Sequence, residues 1–60
     1  MFKAGQVWSL DGVSEFRVIS IKSDWVMSVE YIKSGVCQDV NIDDFVDIIN
    51  NYDYTVKEAE

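Results

Sequence analysis

The sequence predicts a mainly β domain, a small barrel of about five strands with one short helix before the last strand. Three observations predict it. Four short apolar-rich segments follow one another in the first forty residues. Turn formers separate them at Asp11-Gly12, Ser23-Asp24 and Lys33-Ser34-Gly35. The apolar spacing then changes to the helical one at Ile42, Phe45, Val46 and Ile49, before a last segment that carries two tyrosines.

Gln6–Leu10 reads as the first strand. Asp11-Gly12 then predicts a type I′ hairpin, whose two central residues both need positive φ. The second strand spans Glu15–Lys22, and its apolar parity moves from Phe16 and Val18 to Ile19 and Ile21. A regular half-buried strand keeps one parity, so a bulge or sharp bend is expected here. Trp25–Ile32 is the cleanest strand. Trp25, Met27, Val29 and Tyr31 line one face, with Trp25 expected in the core, and Ser28 and Glu30 line the other. Val36–Val40 is the fourth strand.

The helix that follows can be capped by Asn41 or Asp43, and acids suit its N-terminal turn. Asn50-Asn51 should end it, because Asn tolerates the left-handed cap conformation. Tyr52–Val56 closes the fold as a short strand, leaving 57–60 as a frayed tail of a single domain, 1–60.

This layout resembles the SH3-like small barrels. The likeness lies in Gly5-Gln6-Val7-Trp8, Phe16-Arg17-Val18-Ile19-Ser20-Ile21, Trp25-Val26-Met27-Ser28-Val29-Glu30-Tyr31 and the helix opening Ile42-Asp43-Asp44-Phe45-Val46. It is similar also to small uncharacterised bacteriophage-encoded proteins with that fold. Two departures bear on function. SH3 domains carry a proline-containing signature in the ligand groove, and this chain has no proline. RNA-binding barrels of the KOW type are basic, whereas this chain is acidic.

Charge is divided along the chain. Through residue 33, Lys3, Arg17, Lys22 and Lys33 balance Asp11, Glu15, Asp24 and Glu30. From residue 34 on, Lys57 stands against Asp39, Asp43, Asp44, Asp47, Asp53, Glu58 and Glu60, so this half carries the whole net charge of −6. Nucleic-acid binders need a basic face to displace counterions from phosphates. Direct DNA or RNA binding is therefore disfavoured, with a patch of Arg17, Lys22 and Lys33 as its only footing. No apolar run approaches the ~18 residues of a membrane span, and Met1-Phe2-Lys3-Ala4-Gly5 does not read as a signal peptide. The cytoplasm is the expected compartment, the host cytoplasm for a phage-encoded chain.

Catalytic groups are scarce. The chain has no histidine, and its one cysteine, Cys37, has no base beside it and reads as a small strand residue packed on one side. A Ser–Lys arrangement is unmarked. Asp39-Val40-Asn41-Ile42-Asp43 has the D-x-N-x-D opening of a calcium loop, with Asp47 at the ninth position. The sixth position needs glycine and holds Asp44; the twelfth needs glutamate and holds Asn50. No catalytic residue, metal or cofactor is assigned, and the chain is read as a non-enzyme.

The expectation is a protein-interaction module whose partner has a basic surface. Its contact residues are Asp39, Asp43, Asp44, Asp47 and Asp53 with the aromatics Trp8, Tyr52 and Tyr54, which serve equally well as core or as contact surface. The phage resemblance implies a modulator or inhibitor of a host protein, with DNA mimicry as one route. Dedicated mimics are more densely acidic. A Tyr52-Asp53-Tyr54 edge strand could also pair with a second copy, which leaves a homo-oligomer open.

Overall fold

The computed structural model describes residues 2–58. The elements run β1 (Val7–Leu10), β2 (Ser14–Ile21), β3 (Val26–Tyr31), β4 (Val36–Asn41), α1 (Ile42–Asn51) and β5 (Thr55–Lys57). All strand pairs are antiparallel, and the five form one sheet in the order β4-β3-β2-β1-β5. The sheet is open, which corrects the expected barrel. β5 is only three residues long and pairs with β1, so β4 and β5 are opposite edges of one sheet. α1 packs across the face between them and does the covering that a closed barrel would do with strands.

The parity change in β2 resolves as a bulge. Val18 pairs with Val29 and Ser20 with Ser28, so two steps along β2 answer one step along β3, and Ile19 is the extra residue. The insertion lets Phe16 and Val18 before it, and Ile21 after it, share one face with Met27, Val29 and Tyr31. Gly5 makes a second bulge. With φ of 91° it donates its N–H to Val18 O at 2.7 Å, while Val18 N–H donates to Gln6 O at 2.9 Å, so two residues again oppose one.

Several boundaries differ from the sequence reading. At the first hairpin only Gly12 has positive φ, and Val13 N–H closes the turn on Leu10 O at 3.0 Å. Positive φ at the second central residue alone is the pattern of a type II turn, not type I′. Trp25 belongs to the β2–β3 turn and is 63% exposed. The Ser23 hydroxyl accepts from the N–H groups of both Trp25 and Val26, which holds Trp25 in the turn and out of the apolar stripe. The helix ends without a left-handed residue: its cap is Tyr52 in an extended conformation. Tyr52 and Asp53 therefore lie in the turn, where Tyr54 N–H bonds Tyr52 O at 2.9 Å, and the last strand starts only at Thr55. The expected tail is partly structured. Lys57 pairs with Val7, and Glu58 bonds Gln6; residues 59 and 60 lie outside the described residues.

The core lies between the sheet and α1. Phe2, Phe16, Val18, Met27 and Val29 are its buried apolar residues among those described. Phe16 is central, with its ring 5.0 Å from Phe45 edge to face, 6.1 Å from Tyr54 and 6.3 Å from Phe2. One residue of β2 thus joins the N-terminal arm, the helix and the segment leading to β5. Ile42, Phe45, Val46 and Ile49 give α1 the apolar stripe anticipated from their spacing. Asn41 is its N-cap, its side-chain carbonyl accepting from Asp44 N–H at 3.2 Å.

This packing sets the cost of two substitutions. Phe16→Ala removes a ring costing about 3–5 kcal/mol, on the scale of the whole stability of so small a domain. Circular dichroism should show an unfolded chain at room temperature. Asn41→Ala should cost about 1 kcal/mol and lower the melting temperature by about 4–8 °C with the fold intact.

Candidate functional site

The outward side of α1 is acidic because its inward side is fully used. With Ile42, Phe45, Val46 and Ile49 against the core, rotation of about 100° per residue places Asp43, Asp44 and Asp47 together on the solvent side. All three are exposed. Asp43 and Asp44 stand in the first turn, where the exposed N–H groups favour negative charge. Asp47 lies a turn beyond that, four residues from Asp43, and the two repel. Asp53 is exposed in the turn after the helix, and beside it Tyr52 is 58% exposed.

Other candidates sit elsewhere. Asp39 faces Ser28 across β3–β4, on the sheet face turned away from α1, and its carboxylate is 3.0 Å from Lys22 Nζ. Trp8 and Tyr54 are half-buried against the core. The indole of Trp8 meets Phe2 edge to face at 5.3 Å and donates its N–H to Gln6 Oε1 at 3.2 Å. The structure therefore gathers Asp43, Asp44, Asp47, Tyr52 and Asp53 near α1 and leaves Asp39, Trp8 and Tyr54 in other settings.

The sheet face away from α1 is polar, and two of its acids are ion-paired. Arg17 is 2.7 Å from Glu30, Lys22 is paired with Asp39, and Ser9 donates to Glu15 at 2.9 Å. Arg17 and Lys22 are two of the three cations of the nucleic-acid alternative. The third, Lys33, is in the β3–β4 turn, at the other end of β3 from Lys22. Six residues of β3 put roughly 20 Å between those two turns, so the three cations form no single patch.

Cys37 is exposed on the same outer face, opposite Glu30, which corrects its reading as a packed residue. Among the described residues no second layer covers this face. The D-x-N-x-D segment is divided between strand and helix: Asp39 is ion-paired, Asn41 caps α1 and Asp43 is in its first turn. Among the described residues no three metal-ligating side chains converge, and no pocket opens. What the surface offers is charge and an exposed ring.

Gln6 was not singled out by the sequence pattern, yet it is the one buried polar residue among those described, 3% exposed. Its Oε1 accepts from Lys3 N–H at 2.8 Å as well as from Trp8. Its Nε2 donates to both Glu58 oxygens, at 2.7 and 3.1 Å. A glutamine at the edge of an apolar strand, two residues before a tryptophan, was the only available signal. Comparison with protein-family models, curated proteins and solved structures finds no match.

Gln6→Leu should cost about 1–3 kcal/mol, since it leaves two donors without their acceptor. Glu58→Ala should cost less, because water can reach Gln6 Nε2 from the exposed side. Thermal melts of the two variants make the comparison; equal losses would contradict the assigned geometry. A labelled oligonucleotide should show no mobility shift with the chain at low salt, given the pairing of Arg17 and Lys22.

Proposed function

We propose that this chain is an acidic protein-interaction module that binds a basic surface on a partner protein through the outer side of α1 and the adjoining Tyr52-Asp53 turn. One observation carries the reading. On the sheet, Glu30 and Asp39 each have a cation within ion-pair distance and Glu15 has the Ser9 hydroxyl, whereas Asp43, Asp44, Asp47 and Asp53 have no cation among the described residues and lie together around one helix. Unneutralised like charges on one side of a helix set up a field that accelerates encounter with a cationic partner and discriminates against anionic ones. Tyr52 supplies rigid apolar area beside that charge, the combination that marks energetic anchors at interfaces.

The SH3-like resemblance is supported by the order of elements. Four strands form a meander, the helix falls between the fourth and the last, and β5 returns beside β1. The open sheet departs from that likeness. The bacteriophage setting, the host protein as target and the cytoplasmic location rest on the resemblance in layout. DNA mimicry is a special case of the same reading, in which the partner's basic surface is its nucleic-acid site.

The test is affinity capture from host lysate at low and high salt, with wild-type chain and with the Asp43→Asn, Asp44→Asn, Asp47→Asn triple variant side by side. A partner held through this surface is lost with the triple variant and elutes with salt. Substitution of three unpaired charges should weaken binding at least about tenfold and flatten its salt dependence. Identical retention by the two chains, across the salt series, would falsify the assignment of this surface.

A further inference from the structure

The two edges of the sheet are unlike. β5 is three residues long and ends in Lys57, a short, charged edge of the kind that resists pairing. β4 is six residues long and almost wholly exposed. It contains no proline or lysine, and its register with β3 runs from Val26–Asn41 to Tyr31–Val36 without a bulge. Its one charge, Asp39, is offset by Lys22.

The hydrogen-bond phase shows which main-chain groups are open. Ile42 N–H donates to Trp25 O at 2.8 Å, one step beyond the Val26–Asn41 pair. Hydrogen-bonded pairs alternate in an antiparallel ladder, so Val40 and Gln38 direct their main-chain groups to β3, while Val36 N–H is taken by the Ser34 hydroxyl. Cys37 and Asp39 direct theirs outward. By this phase neither of their N–H groups is directed at an acceptor on β3. Two donors and two acceptors thus stand in strand spacing on an open edge.

We propose that this edge takes an extended, lysine- or arginine-bearing segment of a partner protein as a sixth strand. The inference rests on the proposed function and adds the binding mode. The main-chain groups of Cys37 and Asp39 supply the hydrogen bonds, as in other cases of strand addition. Charge selects the occupant. β4 runs directly into the first turn of α1, so Asp43 and Asp44 lie just past the end of the edge and favour a cationic segment. A second copy of this chain, itself carrying −6, would bring like charge to the same place.

The probe is a heptapeptide of alternating lysine and valine, compared with one of alternating lysine and proline. The two have equal charge, but proline fixes the second in a polyproline II geometry that does not pair as a strand. The lysine–valine peptide should bind about tenfold more tightly, the scale of two net main-chain hydrogen bonds. It should also slow amide hydrogen exchange at Cys37 and Asp39 by a similar factor. The double variant Cys37→Pro, Asp39→Pro removes outward N–H groups without breaking the β3 ladder, and should erase the difference between peptides. Exchange is read on the unaltered chain, so that measurement stands whether or not the double variant folds.

Equal affinity for the two peptides, with Cys37 and Asp39 exchange unchanged, overturns the edge proposal and leaves the acidic helix as the binding surface. Protection at Thr55–Lys57 in place of β4 overturns it as well. So does protection of Cys37 that grows with protein concentration in the absence of peptide, which would assign the edge to a second copy. Failure of both peptides to bind at low salt overturns this inference and the proposed function together.

Discussion

The buried amide of Gln6 ties together the two ends of the chain, which otherwise meet through the ring of Phe16 and the β1–β5 ladder. It accepts from the main chain at Lys3 and from the indole of Trp8, and donates to Glu58 near the other end of the sequence. Those contacts hold the N-terminal arm down so that Phe2 can pack on Phe16 and Trp8. They also hold the end of β5 beside β1. A 60-residue domain buries too little apolar surface to tolerate loose ends, and here a single polar side chain secures both. A buried amide left half-satisfied would be a liability, but every hydrogen-bonding side of this one is engaged.

From that closure follows the division of the surface. The sheet has only one covered face. The helix and Phe2 fill it, and the opposite face meets water. That exposed face carries the ion pairs Arg17–Glu30 and Lys22–Asp39, formed because antiparallel register sets Arg17 opposite Glu30 and brings the β2–β3 turn near β4. Exposed pairs of this kind contribute little stability. Their consequence is electrostatic: two acids of the sheet, one from each half of the sequence, are offset there, while Asp43, Asp44 and Asp47 on α1 are not.

Much of this organisation was legible in the sequence where local pattern and tertiary demand agree. The bulge at Ile19 was visible as a parity change, the helix as a change of period, and the turns as glycine and serine positions. Trp25 misled because alternation alone cannot tell the first residue of a strand from the last of a turn; two hydrogen bonds to the Ser23 hydroxyl decide it. Closure was misjudged for a related reason. Strand count and helix position are local properties, whereas the distance between β4 and β5 depends on how far the sheet twists and on what α1 fills. The acidic side of α1 could be read from spacing, because apolar positions at i, i+3, i+4 and i+7 force the intervening acids outward. The role of Gln6 could not, since its partners are two, three and 52 residues away.

The acids of α1 differ in what folding alone explains. Asp43 and Asp44 occupy the first turn, where carboxylates favour the helix by interacting with its free N–H groups, so a structural role accounts for their sign. Asp47 has no such account. It lies beyond the reach of the N-terminus, repels Asp43, and has no cation to offset it among the described residues. Asp53 extends the same field past the helix. A neutral residue at position 47 would serve the fold at least as well, because the core-facing stripe does not involve it. The fold thus carries at position 47 a charge that it neither uses nor offsets. Asp47, more than the acidic composition as a whole, is therefore the residue whose charge the fold leaves unexplained, and the proposed contact surface rests on it most.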